Sequence, residues 1–255
     1  LFGGVPIAWG MAIVGAAGFA SLAGVGPALA MVGQIAYETS MNYGLSVLPL
    51  FILMGNLITQ SRLSDELYRA SNAFVGHFRG GQAMATVIAC GGFAAVSGSS
   101  IATAATMAKV AMPPMRRLGY SNRLAAGAIA AGGTLGILIP PSVMLIVMGP
   151  VVGVPATDLF AAAVIPGLML SLLYIAYTLV RSYMNPALGP ALPPEERAES
   201  VGEVVRELVF GIAPVVVVIF ATLGVILAGI ATPTDAGAVG AFAVLLLTLA
   251  YRRMN

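Results

Sequence analysis

The sequence predicts an all-α polytopic membrane protein in which a re-entrant helical hairpin and a broken helix interrupt the ordinary transmembrane helices. Three observations predict it. Of 255 residues, 59% are hydrophobic and only 9% are charged, against roughly 25% charged in a soluble domain. Residues 1–37, 39–61, 80–108, 124–157, 159–180 and 208–234 contain no Asp, Glu, Lys or Arg, and each exceeds the roughly 20 residues a helix needs to cross a ~30 Å hydrocarbon core. Two of these runs carry helix-breaking residues near mid-length, "VSGSS" at 96–100 and "GGTLGILIPPS" at 132–142.

Taken in order, residues 1–61 are expected to form scaffold-type transmembrane helices. Residues 62–80 read as an amphipathic helix, with Leu63, Leu67, Ala70, Phe74 and Phe78 on one face and Arg62, Asp65 and Arg69 elsewhere, a pattern that lays it along the cytoplasmic interface. Residues 81–184 are expected to hold the hairpin, the broken helix and a following span, the transport region. The proline- and charge-rich stretch 185–207 reads as a cytoplasmic linker, and 208–255 as further transmembrane helices, the shorter run 236–251 crossing with some mismatch. In "TPTD" (232–235), Thr232 suits an N-cap, Pro233 the first helical position and Asp235 the third, so Asp235 is read as capping a helix rather than catalysing.

Charge gives the topology. Arg62, Arg69, Arg79, Arg116, Arg117, Arg123, Arg181, Arg252 and Arg253 flank one set of loops, whereas Glu38, Asp158 and Asp235 mark the other. The positive-inside rule puts the arginines in the cytoplasm, and the sides alternate only if residues 80–112 enter and leave on the same side. At 1.5 Å per residue, limbs 81–96 and 101–112 reach about 24 Å and about 18 Å, with Ser97, Gly98, Ser99 and Ser100 at the tip. Non-helical backbone at that depth is tolerated only inside protein or beside a wet cavity, so the tip is expected to be surrounded by the rest of the molecule. Pro140 and Pro141 remove two amide donors, which divides the second interrupted run into expected halves 124–132 and 142–152.

Two broken elements at one depth suit an ion and substrate site. The incoming limb presents free carbonyls and the outgoing limb free amides. Those carbonyls, with the hydroxyls of Ser97, Ser99 or Thr103, suit a hard monovalent cation such as Na⁺; the amide end suits a carboxylate. Gly132, Gly133 and Thr134 on one side of the second break and Ser142 on the other repeat the pattern. Other features read as structural. Lys109, the single lysine, is expected to snorkel; His77, the single histidine, has no metal-ligating neighbours in sequence; Cys90, the single cysteine, excludes a disulfide framework and reads as a small packed residue. A net charge of +2 spread over short clusters gives no nucleic-acid surface, and no G-x-x-x-x-G-K-[ST] occurs, so ATP hydrolysis is not expected. The chain opens on Leu1 without a basic leader region, which predicts no signal peptide and suggests an N-terminal truncation.

"GGFAAVSGSSIATAATM…MPPMRRLGYS" followed by "AAGAIAAGGTLGILIPPSVMLIVMG", together with "VLPLFILMGNLI" (47–58) and "GIATPTDAGAVG" (229–240), resembles the large membrane subunit, the DctM-like permease, of tripartite ATP-independent periplasmic (TRAP) transporters. The resemblance runs in order through nearly the whole chain. It implies a non-enzymatic symporter of the bacterial inner membrane that imports organic acids (dicarboxylate, keto acid or sialic acid type) on a Na⁺ gradient by an elevator mechanism. It also implies a periplasmic solute-binding protein and a small four-helix membrane subunit as partners. The implied Na⁺ set is Ser97, Gly98, Ser99, Gly133, Thr134 and Gly136, the implied substrate set Ser99, Ser100, Thr103 and Ser142, and the implied helix breaks Pro140 and Pro141. A second, inverted half is expected after Asn255, and most of a first span before Leu1. Two other readings stay open: a single-component Na⁺/anion symporter of related architecture, and an intramembrane serine hydrolase on Ser99, for which ten helical residues place Lys109 about 15 Å away.

Overall fold

The computed structural model describes residues 5–61, 63–197 and 200–250; the topology markers Arg62, Arg252 and Arg253 lie outside the described residues. Two compact units are present, Leu1–Leu45 and Ser46–Asn255. The first holds α1 (Ile7–Ala23), α2 (Val25–Met41) and a 3₁₀ turn, Tyr43–Leu45. The charge-free run 1–37 is therefore not one helix. Gly24, at φ +91°, ends α1 by donating its amide to the Ala20 carbonyl at 2.9 Å, and Pro27 sits in the first turn of α2, where its missing amide costs nothing. Each helix has 17 residues, short of an ordinary span.

The second unit holds α3 (Leu48–Gln60), α4 (Leu63–Val75), α5 (Gly81–Ser97), α6 (Ser100–Arg117), α7 (Asn122–Leu138), α8 (Val143–Val152) and α9 (Ala156–Met184). It continues through α10 (Val201–Ile219), a π turn (Phe220–Gly224), α11 (Val225–Leu227) and α12 (Pro233–Ala250). No strand occurs among the described residues. Tyr43–Gln60, Ala156–Met184 and Gly202–Leu227 are long and apolar enough to cross a membrane, and α7 with α8 forms a pair bent by 46°. The chain is an all-α membrane protein.

The hairpin forms the centre. α5 packs against α3, α4, α6, α7 and α9, and Ala83, Ala85, Val87, Ala89, Cys90 and Ala94 are fully buried. Small side chains permit that approach: a Cβ on Gly132 of α7 would lie 2.6 Å from Cys90 Sγ. At the base of the hairpin, the Gln82 amide donates to the Tyr120 hydroxyl at 3.1 Å, and the Tyr68 hydroxyl of α4 donates to Gln82 Oε1 at 2.6 Å. Residue 82 lies in the first turn of α5 and residue 120 follows α6, so the chain enters and leaves the hairpin at the same end of the limb pair.

Several boundaries differ from expectation. α6 does not stop at 112 but carries Pro113 and Pro114 inside it and runs to Arg117; Gly119, two residues on, has a φ of +76° that lets the Tyr120 amide reach the Met115 carbonyl at 2.9 Å, a glycine-terminated helix end. α7 runs six residues past Gly132: the glycines stay helical and the break is confined to 139–142, where Pro140 and Pro141 share a cis peptide bond. Of the residues expected on one apolar face, Leu63, Leu67 and Ala70 of α4 are buried, but Phe74 of α4 and Phe78 beyond its end are 56% and 40% exposed. Ser64, Tyr68 and Ser71 complete the inward face instead, because α4 faces α5 and α10. The linker is shorter than 185–207, since Ser200 caps α10 by accepting from the Glu203 amide at 3.2 Å, an S-x-x-E signature. At α12 the expected cap is present: the Asp235 amide donates to Thr232 Oγ1 at 3.3 Å and the Thr232 hydroxyl to Asp235 Oδ2 at 2.6 Å.

Candidate functional site

Only Gly98 and Ser99 separate the two limbs, a tighter tip than the four residues expected, because Ser97 and Ser100 are helical. Gly98 takes φ +60° and ends α5 with its amide on the Ala94 carbonyl at 2.9 Å; a side chain here would strain the left-handed backbone. Ser99 is extended and caps α6, its Oγ accepting from the Ala102 amide at 3.4 Å. Its carbonyl accepts from the Thr103 amide at 3.0 Å and the Thr103 hydroxyl at 2.7 Å. The Ser97 and Thr103 hydroxyls lie 3.0 Å apart, both buried.

The second break closes on this tip. The Val143 amide, first in α8, donates to the Gly98 carbonyl at 3.2 Å. Glycines from two further helices press against the same backbone. A Cβ on Gly136 would lie 2.7 Å from the Ser99 carbonyl carbon and oxygen, one on Gly133 3.3 Å from the Ser100 oxygen, and one on Gly55 of α3 3.1 Å from the Ser97 oxygen. Protein thus backs the tip on the α3, α7 and α8 sides, but it does not surround it as expected: Ser99 and Ser100 are half-buried and Ile101 is exposed. Ser142, the N-cap of α8, is fully buried, and its Oγ has no hydrogen-bond partner among the described residues. Beside the tip lies a cavity of ≈ 420 Å³ bordered by Ser97, Gly98, Ser99, Ser100 and Asn56. No Asp, Glu, His, Lys, Arg, Cys or Tyr lines it.

The structure therefore brings together Ser97, Gly98, Ser99, Ser100 and Thr103 with Gly133, Gly136, Pro141 and Ser142; Pro140 is buried within the break. Thr134 is not among them. Its hydroxyl donates to the Ala131 carbonyl at 2.6 Å and lies 3.2 Å from the Tyr174 hydroxyl, on the α9 side of α7. Asn56 was not foreseen; a carboxamide inside the charge-free run 39–61 was the available signal. Lys109 and His77 are exposed, the latter with its ring 4.0 Å from that of Phe78. Among the described residues no group of three or more His, Cys, Asp or Glu is arranged to hold a metal. What the tip offers is uncharged oxygen (carbonyls at the end of α5, hydroxyls of serine and threonine) facing the amide ends of α6 and α8. That chemistry suits one small cation beside one anion.

The family model described as Tripartite ATP-independent periplasmic transporter, DctM component, matches residues 1–255. The chain is 37% identical over 220 residues to the C4-dicarboxylate TRAP transporter large permease protein DctM of Pseudomonas aeruginosa, covering 86% of this chain and 50% of that protein. Its counterpart in Vibrio cholerae is 36% identical over 230 residues, 89% of this chain and 49% of that one. The 2,3-diketo-L-gulonate TRAP transporter large permease protein YiaN of Escherichia coli is 32% identical over 257 residues, 99% of this chain and 57% of that one. The chain spans about half the length of the curated relatives it matches.

Proposed function

We propose a transport role from one premise: the chain belongs to the DctM component family of tripartite ATP-independent periplasmic transporters. It supplies half of a large permease of the bacterial inner membrane that imports an organic acid together with Na⁺. A periplasmic solute-binding protein delivers the substrate, and a small four-helix membrane subunit accompanies the permease. Relatives are named for C4-dicarboxylate and 2,3-diketo-L-gulonate, which are carboxylates, and for isethionate, a sulfonate; an organic anion is what these names share.

One observation carries this reading: the hairpin tip and the helix break meet through the Val143 amide and the Gly98 carbonyl, placing two interrupted helices at one point. Na⁺ is held by oxygens of Ser97, Gly98, Ser99, Gly133 and Gly136. Thr134 is left out of this set because its hydroxyl sits beside Ala131 and Tyr174, on the α9 side of α7. Ser99, Ser100, Thr103 and Ser142 face the organic anion, with Asn56 of α3 added from the cavity wall. The unpaired, buried Ser142 Oγ fits a ligand-facing role, since an unsatisfied buried hydroxyl otherwise costs about 1–3 kcal/mol. A serine hydrolase is disfavoured because no general base borders Ser99 in that cavity. Transport proceeds as an elevator, hairpin and broken helix moving together against a scaffold.

The test is uptake by the intact transporter in proteoliposomes. Binding-protein-dependent uptake is expected to collapse without a Na⁺ gradient; uptake indifferent to Na⁺ removes the coupling, and uptake by the membrane part alone favours the single-component symporter.

A further inference from the structure

A second cavity, of ≈ 870 Å³, runs between α7 and α9, about twice the size of the one at the tip. Its walls are apolar along most of their length: Leu124 and Ala128 from α7, Leu170, Leu173 and Tyr174 from α9. At mid-groove the wall is open, since a Cβ on Gly127 would find nothing within 4 Å. One end differs. Arg123 lies in the first turn of α7 and Arg181 in the last turn of the antiparallel α9, and the Ser121 amide ties this end to the Leu188 carbonyl at 3.0 Å. Both arginines are exposed and both border the groove. Neither takes part in the ion pairs Arg69–Glu207 or Arg117–Glu196, and no carboxylate among the described residues pairs with either. No Asp or Glu borders the groove.

We propose that this groove holds an anionic phospholipid, its phosphate between Arg123 and Arg181 and an acyl chain along the leucine-lined wall. An aqueous ligand does not suit an apolar trough flanked by candidate membrane spans, and a lipid without net charge brings no net counter-charge to the two arginines that border it. A phosphate answers both, because guanidinium groups bind it through paired donors. The depth agrees as well: the arginine end is the one that the positive-inside pattern assigns to the cytoplasm, where anionic headgroups attract juxtamembrane basic residues. Tyr177, on the same wall, is suited to the headgroup level by its apolar ring and polar tip.

The test titrates the intact permease, delipidated in detergent, with phosphatidylglycerol, phosphatidylcholine or inorganic phosphate, reading retained lipid by native mass spectrometry and the shift in Tm. Phosphatidylglycerol is expected to bind saturably and raise Tm. Arg123→Gln with Arg181→Gln is expected to weaken it about 25-fold, at roughly fivefold per arginine, while the Arg→Lys pair keeps most of the affinity. Gly127→Leu, whose Cβ meets nothing within 4 Å and whose side chain enters the groove, is expected to abolish retention while the protein in detergent alone keeps its Tm. Equal binding of phosphatidylcholine, reproduction of the Tm shift by inorganic phosphate, or unaltered phosphatidylglycerol binding in both the Gln pair and Gly127→Leu overturns the proposal.

Discussion

Gly136→Ala and Gly127→Ala make the same chemical change on the same helix, and the structure assigns them opposite signs. In a helix interior, Ala is favoured over Gly by about 1 kcal/mol. At Gly127 the new methyl meets nothing within 4 Å, so that gain stands and the variant is neutral or up to about 1 kcal/mol more stable. At Gly136 the methyl arrives 2.7 Å from the Ser99 carbonyl carbon and oxygen and 2.8 Å from the Ser100 nitrogen. These are backbone atoms with no rotamer to yield, so the upper part of the roughly 1–3 kcal/mol overpacking cost applies. The net is a loss of about 1–2 kcal/mol, and the two variants differ by about 2–3 kcal/mol. Relief requires the tip to retreat by nearly an ångström, enough to break the 3.2 Å bond from the Val143 amide to the Gly98 carbonyl. Thermal unfolding of the intact permease in detergent, with Na⁺-driven uptake in proteoliposomes, measures both effects: Gly136→Ala is expected to lose stability and uptake while Gly127→Ala keeps both. Indistinguishable variants would refute the apposition of tip and α7, and with it the site.

Further outcomes follow from single bonds. Ser142→Ala removes an unpaired buried hydroxyl, so thermal stability is expected to hold or rise by up to about 1–3 kcal/mol while the Na⁺ or substrate dependence of uptake weakens; a loss of stability without a change in either dependence contradicts a ligand-facing role. Ser99→Ala forfeits a long 3.4 Å cap bond, at the low end of the roughly 0.5–2 kcal/mol range, and is expected to raise the Na⁺ concentration for half-maximal uptake more than it lowers folding yield. Tyr120→Phe leaves the buried Gln82 amide without its acceptor and is expected to cost about 1–3 kcal/mol in denaturation midpoint measurements. Burial pushes the Tyr120 phenol up from its ordinary 10.0 to about 12. Its contribution is therefore full below pH 10 and is lost as pH rises towards about 12, whereas Tyr120→Phe should flatten that part of the stability profile.

The hairpin was legible because two separate signals converged on it: the alternation of arginine-bearing loops asked for a segment that turns back, and Gly98 with Ser99 supplied a left-handed end and a cap. The helix ends were less legible because glycine has two meanings in an apolar run. Gly132 and Gly133 read as a break, yet they are spacers, Gly132 against Cys90 and Gly133 against Ala104; only the partner helix decides between the two. The outgoing limb was expected to end at 112, but α6 runs on through two prolines to Arg117, and Gly119 supplies the left-handed backbone just beyond its end. Thr134 lay beside the right glycines in sequence and one step around the helix in space, a phase set by packing against Tyr174. Asn56 and the Ser200 cap carried clear local signals that the apolar and charged surroundings obscured.

Gln82 has a mechanical consequence. Through its amide and side chain it grips Tyr120 and Tyr68 at the bottom of α5, while sixteen residues higher the carbonyl of Gly98 is held from the far side by Val143. A rod clamped at both ends transmits force without flexing. A pull on α8 is therefore passed along α5 to α4, about 24 Å from the Gly98 carbonyl at about 1.5 Å per residue.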